Sequence, residues 1–210
     1  MATEALSEAL ANAGEVGPWV LVSAGVGSIY SRVFSSRHGA EIEGMLLIDP
    51  LHEDLLDRLG ASSQGFFLWL RGILSPLGLD RIPGALFKGR NKEDRVWGRA
   101  AYQSSKAIYA KLQESLVASS LTRRDVATSR VIQYQDTLLA VISSGEQIRR
   151  DDVWESKQRD LTHLTHNLLA WDVIDKAPHQ VWNTLEGRAA IEKRLKKMVH
   201  QLPKPIVDGQ

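Results

Sequence analysis

Short apolar runs alternate with amphipathic segments along much of the chain. The run at 19–22 is followed by apolar residues at helical spacing up to His38, and 45–48 is a second apolar run that ends at Asp49. Short aliphatic runs of this kind are typical of strands buried on both faces of a parallel sheet. The order strand, helix, strand over residues 19–48 predicts two parallel strands joined by a crossover helix.

The same alternation returns in the C-terminal half. Residues 138–142 and 169–174 are apolar runs, and 151–168 between them carries apolar residues at helical spacing. Residues 186–202 combine an apolar stripe with a charged face, which predicts an amphipathic helix. Residues 3–13 add a short helix at the start. We therefore predict an α/β fold with a mostly parallel sheet of about four strands.

Between the second and third predicted strands, residues 52–130 contain no convincing strand. They hold an apolar patch and a long amphipathic helix that begins at about Asn91, so we predict a helical cap inserted into one domain that spans 1–210. The patch could cover an apolar pocket or form the core of the cap. Its members are Phe66, Phe67, Trp69, Leu70, Ile73 and Leu74. Residues 203–210 are predicted to be a disordered tail.

Composition and charge exclude several kinds of site. The net charge is +1, and basic and aromatic residues are not interleaved, so we predict no nucleic-acid partner. The absence of cysteine excludes disulfides, thiol catalysis and cysteine-based zinc sites. No metal-ligand motif is present, and the glycine-rich turn at 23–28 lacks the third glycine of a dinucleotide fingerprint. We predict neither a metal nor another cofactor.

The sequence also bears on the compartment of the protein. Residues 1–14 carry acids where a signal peptide has basic residues, and no apolar stretch reaches the roughly 18 residues that span a bilayer. The most apolar segment, 65–79, is interrupted by Arg71 and Pro76 and could lie on a membrane surface. We predict an intracellular protein with no membrane-spanning segment in this chain.

The turn between the first strand and its helix reads Ser-Ala-Gly-Val-Gly-Ser at 23–28. Together with the strand that ends at Asp49, the loop before the last helix and the order of elements over 3–200, this turn resembles the α/β-hydrolase fold. Its nucleophile elbow has the pattern G-x-S-x-G. Ser23 stands at the first glycine, Gly25 at the serine and Gly27 at the last glycine. The chain also resembles fungal hydrolase-like proteins that are often described as membrane-associated.

The resemblance assigns roles to individual residues. His179, in the loop before the last helix, takes the place of the family's histidine, and the N–H of Val26 takes the place of one oxyanion-hole donor. The acid has three candidates. Glu146 and Asp152 follow the third predicted strand, whereas Asp49 ends the second.

Two departures from the family pattern shape the expected function. The family has further strands before the elbow, so we expect a truncated chain whose strand 19–22 is an exposed edge open to association. Glycine cannot attack a carbonyl, because covalent acyl transfer needs an activated hydroxyl or thiol. Ser23 and Ser28 flank Gly25 and are the alternative hydroxyls.

Two functions follow from the resemblance. The first is hydrolysis of an ester-type bond by His179 and an acid, with water attacking directly or with a displaced hydroxyl. The second is a catalytically inactive hydrolase-fold module used for binding or structure. In either case a small apolar or ester-like ligand is the expected partner, and contact with a membrane surface is compatible with the apolar segment 65–79.

Overall fold

The computed structural model of the chain describes residues 2–58, 70, 105–117, 121–131, 133 and 135–202. The chain divides into two compact units, one formed by Met1–Glu53 with Asp125–Gln210 and the other by Asp54–Arg124. The second unit overlaps the predicted insertion at 52–130. Apart from Leu70, the apolar segment 65–79 lies outside the described residues, as do Asn91 and the tail 203–210.

The first unit is built on four parallel strands in the spatial order β1-β2-β3-β4, which confirms the predicted fold class. Each predicted strand is present, and each is one to three residues longer than the sequence indicated. The strands are β1 (Trp19–Ala24), β2 (Ile42–Ile48), β3 (Leu138–Ser144) and β4 (Leu168–Ile174).

The strand register aligns the ends of β1 and β2 with Ile142, two residues before the end of β3. Ala24 of β1 pairs with Ile48 of β2, and Ile48 pairs with Ile142 of β3. Because parallel strands end at a common edge, the residues that follow them meet there. Gly25 and Asp49 are the first residues beyond β1 and β2, so the backbone alone places them side by side.

Helices flank the strands in the order that the hydrophobic pattern predicted. The α-helices of the described residues are α1 (Ala2–Ala13), α2 (Gly27–His38), α3 (Ser105–Val117), α4 (Arg123–Val131), α5 (Gly145–Arg150), α6 (Asp152–Leu161) and α7 (Leu185–Gln201). Single 3₁₀ turns occupy Gly39–Glu41, Glu53–Arg58 and Val181–Asn183.

The predicted helix over 151–168 is wrong in its last third. Helix α6 ends at Leu161, the Thr162 hydroxyl donates to the carbonyl of Arg159, and β4 already begins at Leu168. Leu161 and Leu164 are both buried in the same apolar cluster. The turn after α6 therefore preserves the apolar spacing that suggested a continued helix.

The core lies on both faces of the sheet. Side chains of β2 alternate between two clusters, with Met45 and Leu47 on one face and Leu46 and Ile48 on the other. The first face is covered by α2 and α6 through Phe34 and Leu161, and the second by α7 and the turn before it through Met198 and Val181. Burial on both faces explains why β2 reads as an unbroken apolar run.

Candidate active site

The turn that joins β1 to α2 is built around Gly25. Its φ of +52° lies in the left-handed region, which glycine adopts without the steric cost of a side chain. The Gly25 N–H donates to the carbonyl of Ile48 (3.0 Å), and its own carbonyl accepts from the N–H of Leu51 (3.1 Å). A Cβ built on Gly25 would lie 3.3 Å from Nε2 of His179. A side chain at position 25 would thus point at this imidazole.

Asp49 follows β2 and is completely buried. Its φ of +40° is uncommon outside glycine, and aspartate is among the residues that tolerate it. Oδ1 accepts from the N–H of Ser144 (3.0 Å) and from the indole N–H of Trp154 (3.2 Å). Oδ2 lies 2.6 Å from Nδ1 of His179. The Asp49 carboxylate is thus hydrogen-bonded through both oxygens, to Ser144 and Trp154 on one side and to His179 on the other.

His179 lies in the loop between β4 and the turn Val181–Asn183. The loop is tied to the end of β3, since the carbonyl of Ala177 accepts from the Ser144 hydroxyl (2.7 Å) and from the Glu146 N–H (3.3 Å). The imidazole meets the ring of Trp154 edge to face, with centroids 6.0 Å apart. His179 therefore pairs with Asp49 through Nδ1 and directs Nε2 toward the backbone of Gly25.

The environment favours the protonated form of His179. Its hydrogen bond to Asp49 raises its pKa above the ordinary value; partial burial works in the opposite direction, and the negative charge of Asp49 adds to the rise. The side chain of His179 is 43% exposed. The Asp49–His179 pair, with Nε2 facing the turn at Gly25, has the connectivity of the acid and base of a catalytic triad.

Solved structures with similar architecture are hydrolases. A carboxylesterase from the ammonia-oxidising thaumarchaeon Nitrososphaera gargenis superposes with a TM-score of 0.63 at 12% identity, over 95% of this chain and 72% of that chain. A reconstructed ancestral haloalkane dehalogenase gives a TM-score of 0.60 at 9% identity, over 93% and 72%. The chain has the α/β-hydrolase fold. No protein-family model matches it.

Curated relatives of this hydrolase-fold chain come from yeasts. A Schizosaccharomyces pombe protein, described as uncharacterised, is 37% identical over 195 residues, which are 93% of this chain and 36% of the relative. A Saccharomyces cerevisiae protein described as an uncharacterised vacuolar membrane protein is 24% identical over 246 residues, 99% of this chain and 38% of the relative. The chain thus spans a little over a third of the length of these relatives.

Within the hydrolase fold, the three acid candidates take different places. Asp49 contacts His179, whereas Glu146 pairs with Arg150 on α5, and Asp152 is exposed in the first turn of α6. Glu146 and Asp152 both follow β3, but the geometry couples neither of them to the imidazole. The structure brings together Gly25, Asp49 and His179 of the predicted site.

The remaining predicted residues lie around Gly25. Val26 is the first residue of the turn into α2, where the N–H groups of Ser28 and Ile29 already bond the carbonyls of Gly25 and Val26. The N–H of Val26 lies at this helix N-terminus, next to the position from which a side chain would react. Its assignment as an oxyanion donor stays a prediction.

The two serines beside Gly25 differ in their surroundings. Ser28 is fully buried, donates to the Gly25 carbonyl (2.6 Å) and accepts from the N–H of Leu51 (3.1 Å). It therefore fastens the turn to the segment after β2. Ser23 has a buried Oγ with no hydrogen-bond partner among the described residues.

Sequence reasoning missed two residues of the site. The hydrophobic pattern places Trp154 within the predicted helix 151–168, and Ser144 follows the apolar run 138–142. In the structure Ser144 bonds Asp49 through its N–H and the His179 loop through its hydroxyl. No signal in the sequence distinguishes these contacts from ordinary packing and capping, because both depend on which loops meet.

A second polar cluster contains His52, another histidine near the end of β2. Its Nε2 lies 2.8 Å from Oδ2 of Asp160, which also accepts from Arg130 (2.7 Å). Arg32, fully buried on α2, donates to Glu53 (2.7 Å). Burial alone would raise the pKa of Glu53, but the bond and charge of Arg32 hold it below the ordinary value. These contacts connect α2, α4 and α6, and they include the imidazole of His52.

Two further features of the described residues bear on the site. Among the described residues, no group of three or more His, Asp or Glu side chains is placed to hold a metal ion. A cavity of about 590 Å³ lies beside Ile42 and Leu138, at the amino ends of β2 and β3 and thus at the sheet edge opposite Gly25.

None of the helices in the part of the chain that the structure describes has the length and apolar character needed to cross a bilayer.

Proposed function

We propose that this chain binds a small ester-like or apolar ligand at the site formed by Gly25, Asp49 and His179, without forming a covalent acyl-enzyme. The observation that carries this proposal is the glycine at the elbow position. A Cβ added to Gly25 would lie 3.3 Å from Nε2 of His179. Covalent acyl transfer needs an oxygen or sulfur nucleophile at that point. Glycine keeps the backbone geometry of the elbow and removes the nucleophile.

A second candidate function is direct hydrolysis by water, which the intact Asp49–His179 pair favours. Nε2 of neutral His179 would take a proton from water while the water oxygen attacks the ester carbonyl carbon. The imidazolium would then return the proton to the departing alkoxide. Because Asp49 raises the pKa of His179, the neutral base would become abundant at a higher pH than for an ordinary histidine.

Intact-mass measurement of the native chain after fluorophosphonate treatment separates these functions from serine catalysis. We expect no adduct, because position 25 has no hydroxyl, Ser28 is hydrogen-bonded to the backbone and the Oγ of Ser23 is buried. An adduct on any hydroxyl would contradict both candidates. Turnover of p-nitrophenyl acetate without an adduct, lost in His179→Ala and kept in His200→Ala, would select direct hydrolysis. His200 is a suitable control because it is exposed on α7.

Ligand binding has its own readout in the same preparation. Titration with phenyl acetate is expected to move the NMR signals of the His179 ring, since the half-exposed imidazole faces the proposed site. The ring signals of exposed His200 serve as the internal reference. If the His179 signals stayed in place at millimolar phenyl acetate, the proposal of an ester-like ligand would be wrong.

We further propose that the protein associates peripherally with membranes. The support is the Saccharomyces cerevisiae relative, whose description places it at the vacuolar membrane and which aligns with 99% of this chain. After expression of the tagged chain in yeast, we expect it in the membrane pellet and its release by alkaline carbonate. Recovery of the chain in the supernatant before carbonate treatment would contradict this proposal.

A further inference from the structure

We propose that Trp154 is a positioning residue of this site, which orients the Asp49 carboxylate so that His179 is held with Nε2 facing Gly25. The role of the pair in ligand binding rests on the proposed function. The geometric claim does not, because it concerns the Asp49–His179 pair in the free protein.

The two carboxylate oxygens of Asp49 have different hydrogen-bond partners. Oδ1 of Asp49 accepts from the Ser144 N–H (3.0 Å) and from the Trp154 indole N–H (3.2 Å), and Oδ2 is left to Nδ1 of His179 (2.6 Å). Two donors that converge on one oxygen fix the torsion of the carboxylate. Without the indole N–H, a single backbone donor would remain to hold that torsion.

The indole ring of Trp154 also contacts the imidazole of His179. The planes of Trp154 and His179 cross at 86°, with centroids 6.0 Å apart, which is an edge-to-face arrangement. Trp154 therefore touches the acid through its N–H and the base through its ring. A residue that only filled the core would need neither contact.

Further hydrogen bonds along α6 hold Trp154 in place. The Asp151 side chain caps α6 by accepting a hydrogen bond from the backbone N–H of Trp154 (3.3 Å). One turn later, Gln158 donates to the carbonyl of Pro50 (2.7 Å), directly beside Asp49, and accepts from the Ser143 hydroxyl (2.9 Å). Helix α6 is thus docked onto the segment that carries Asp49, and Trp154 is 9% exposed at that junction.

The charged surroundings of His179 make its titration a clean readout. Among the described residues, Asp49 is the charged group recorded in contact with the imidazole, and Trp154 is the neutral ring beside it. When the carboxylate turns away, the imidazolium loses its hydrogen bond and its nearest negative charge. The pKa of His179 then falls toward the ordinary value, because partial burial already acts in that direction.

The experiment is an NMR titration of the His179 ring in the native chain and three variants. The native midpoint is expected above the ordinary value of about 6.5. Trp154→Phe keeps an aromatic ring without the N–H and is expected to lower the midpoint by about half a pH unit or more. Asp49→Asn removes the carboxylate charge and shows how far the His179 midpoint falls when that charge is lost completely. Trp19→Phe is the matched control, because Trp19 packs against Phe34 at the start of β1, at the opposite end of that strand from Gly25, and its loss is expected to leave the midpoint in place.

A second measurement on the native chain needs no variant at position 154. The indole N–H signal of Trp154 is expected to shift with the same midpoint as the His179 ring. An unchanged or raised His179 midpoint in folded Trp154→Phe, or a Trp154 indole signal indifferent to this titration, would overturn the proposal. Failure of phenyl acetate binding would leave both titrations untouched, so the two proposals fail separately.

Discussion

Replacing Gly25 by serine is expected to give a chain that reacts with a fluorophosphonate at position 25, at least about 100-fold faster than the native chain, since a positioned base contributes roughly 10²–10⁴. The added Cβ lies 3.3 Å from Nε2 of His179, so the hydroxyl on it falls within hydrogen-bonding reach of that nitrogen. Asp49, bonded to Nδ1, would stabilise the imidazolium as the serine proton is transferred. The measurement is the rate of adduct formation followed by intact mass.

The substitution is expected to leave the fold intact. A side chain at φ +52° costs on the order of 1–3 kcal/mol, which is a fraction of the roughly 5–15 kcal/mol that stabilises a typical domain. Gly25→Ala carries the same backbone cost without the hydroxyl and is the matched control. Gly25→Ser combined with His179→Ala tests the base. A folded Gly25→Ser chain that remains unlabelled would contradict the placement of His179 opposite position 25.

The sheet and the elbow could be predicted from the sequence because local physics determines both. Residues 45–48 lie on a strand buried on both faces, so every position is apolar and the run is visible without context. Gly25 and Gly27 mark a turn between a strand and a helix, and the positive φ at Gly25 explains the first glycine. Predictions of this kind depend on neighbours within a few residues.

The acid could not be chosen from the sequence, because its choice depends on a contact between residues 130 positions apart. In the sequence, Glu146 and Asp152 follow the third apolar run and Asp49 follows the second, so the pattern alone offers all three acids. The outcome is decided by Ser144, whose N–H holds Asp49 while its hydroxyl holds the loop that carries His179. The role of Trp154 could not be predicted for the same reason. The hydrophobic pattern includes its apolar ring but does not indicate that its indole N–H bonds Asp49.

The second large effect is expected at Gly187, which lies in the first turn of α7 and outside the Asp49–His179 pair. Gly187→Ala is expected to destabilise the chain by about 3 kcal/mol or more, the range of severe overpacking. A Cβ at this position would overlap the carbonyl oxygen of Val181 and lie 2.7 Å from Oγ1 of Thr184. A backbone oxygen cannot move aside alone, and Thr184 is itself the N-cap that accepts from the Gly187 N–H (3.0 Å).

Because Val181 begins the turn two residues after His179, relief of this overlap must move either α7 or the loop that carries the imidazole. We therefore expect Gly187→Ala to lower both the free energy of unfolding, measured in urea, and the His179 midpoint, measured by NMR. Ala189→Gly, at an exposed position two residues further along α7, is the control and is expected to cost about 1 kcal/mol with no change in the midpoint. A Gly187→Ala chain as stable as Ala189→Gly, with the native His179 midpoint, would show that the close packing of α7 on this turn does not hold the histidine in place.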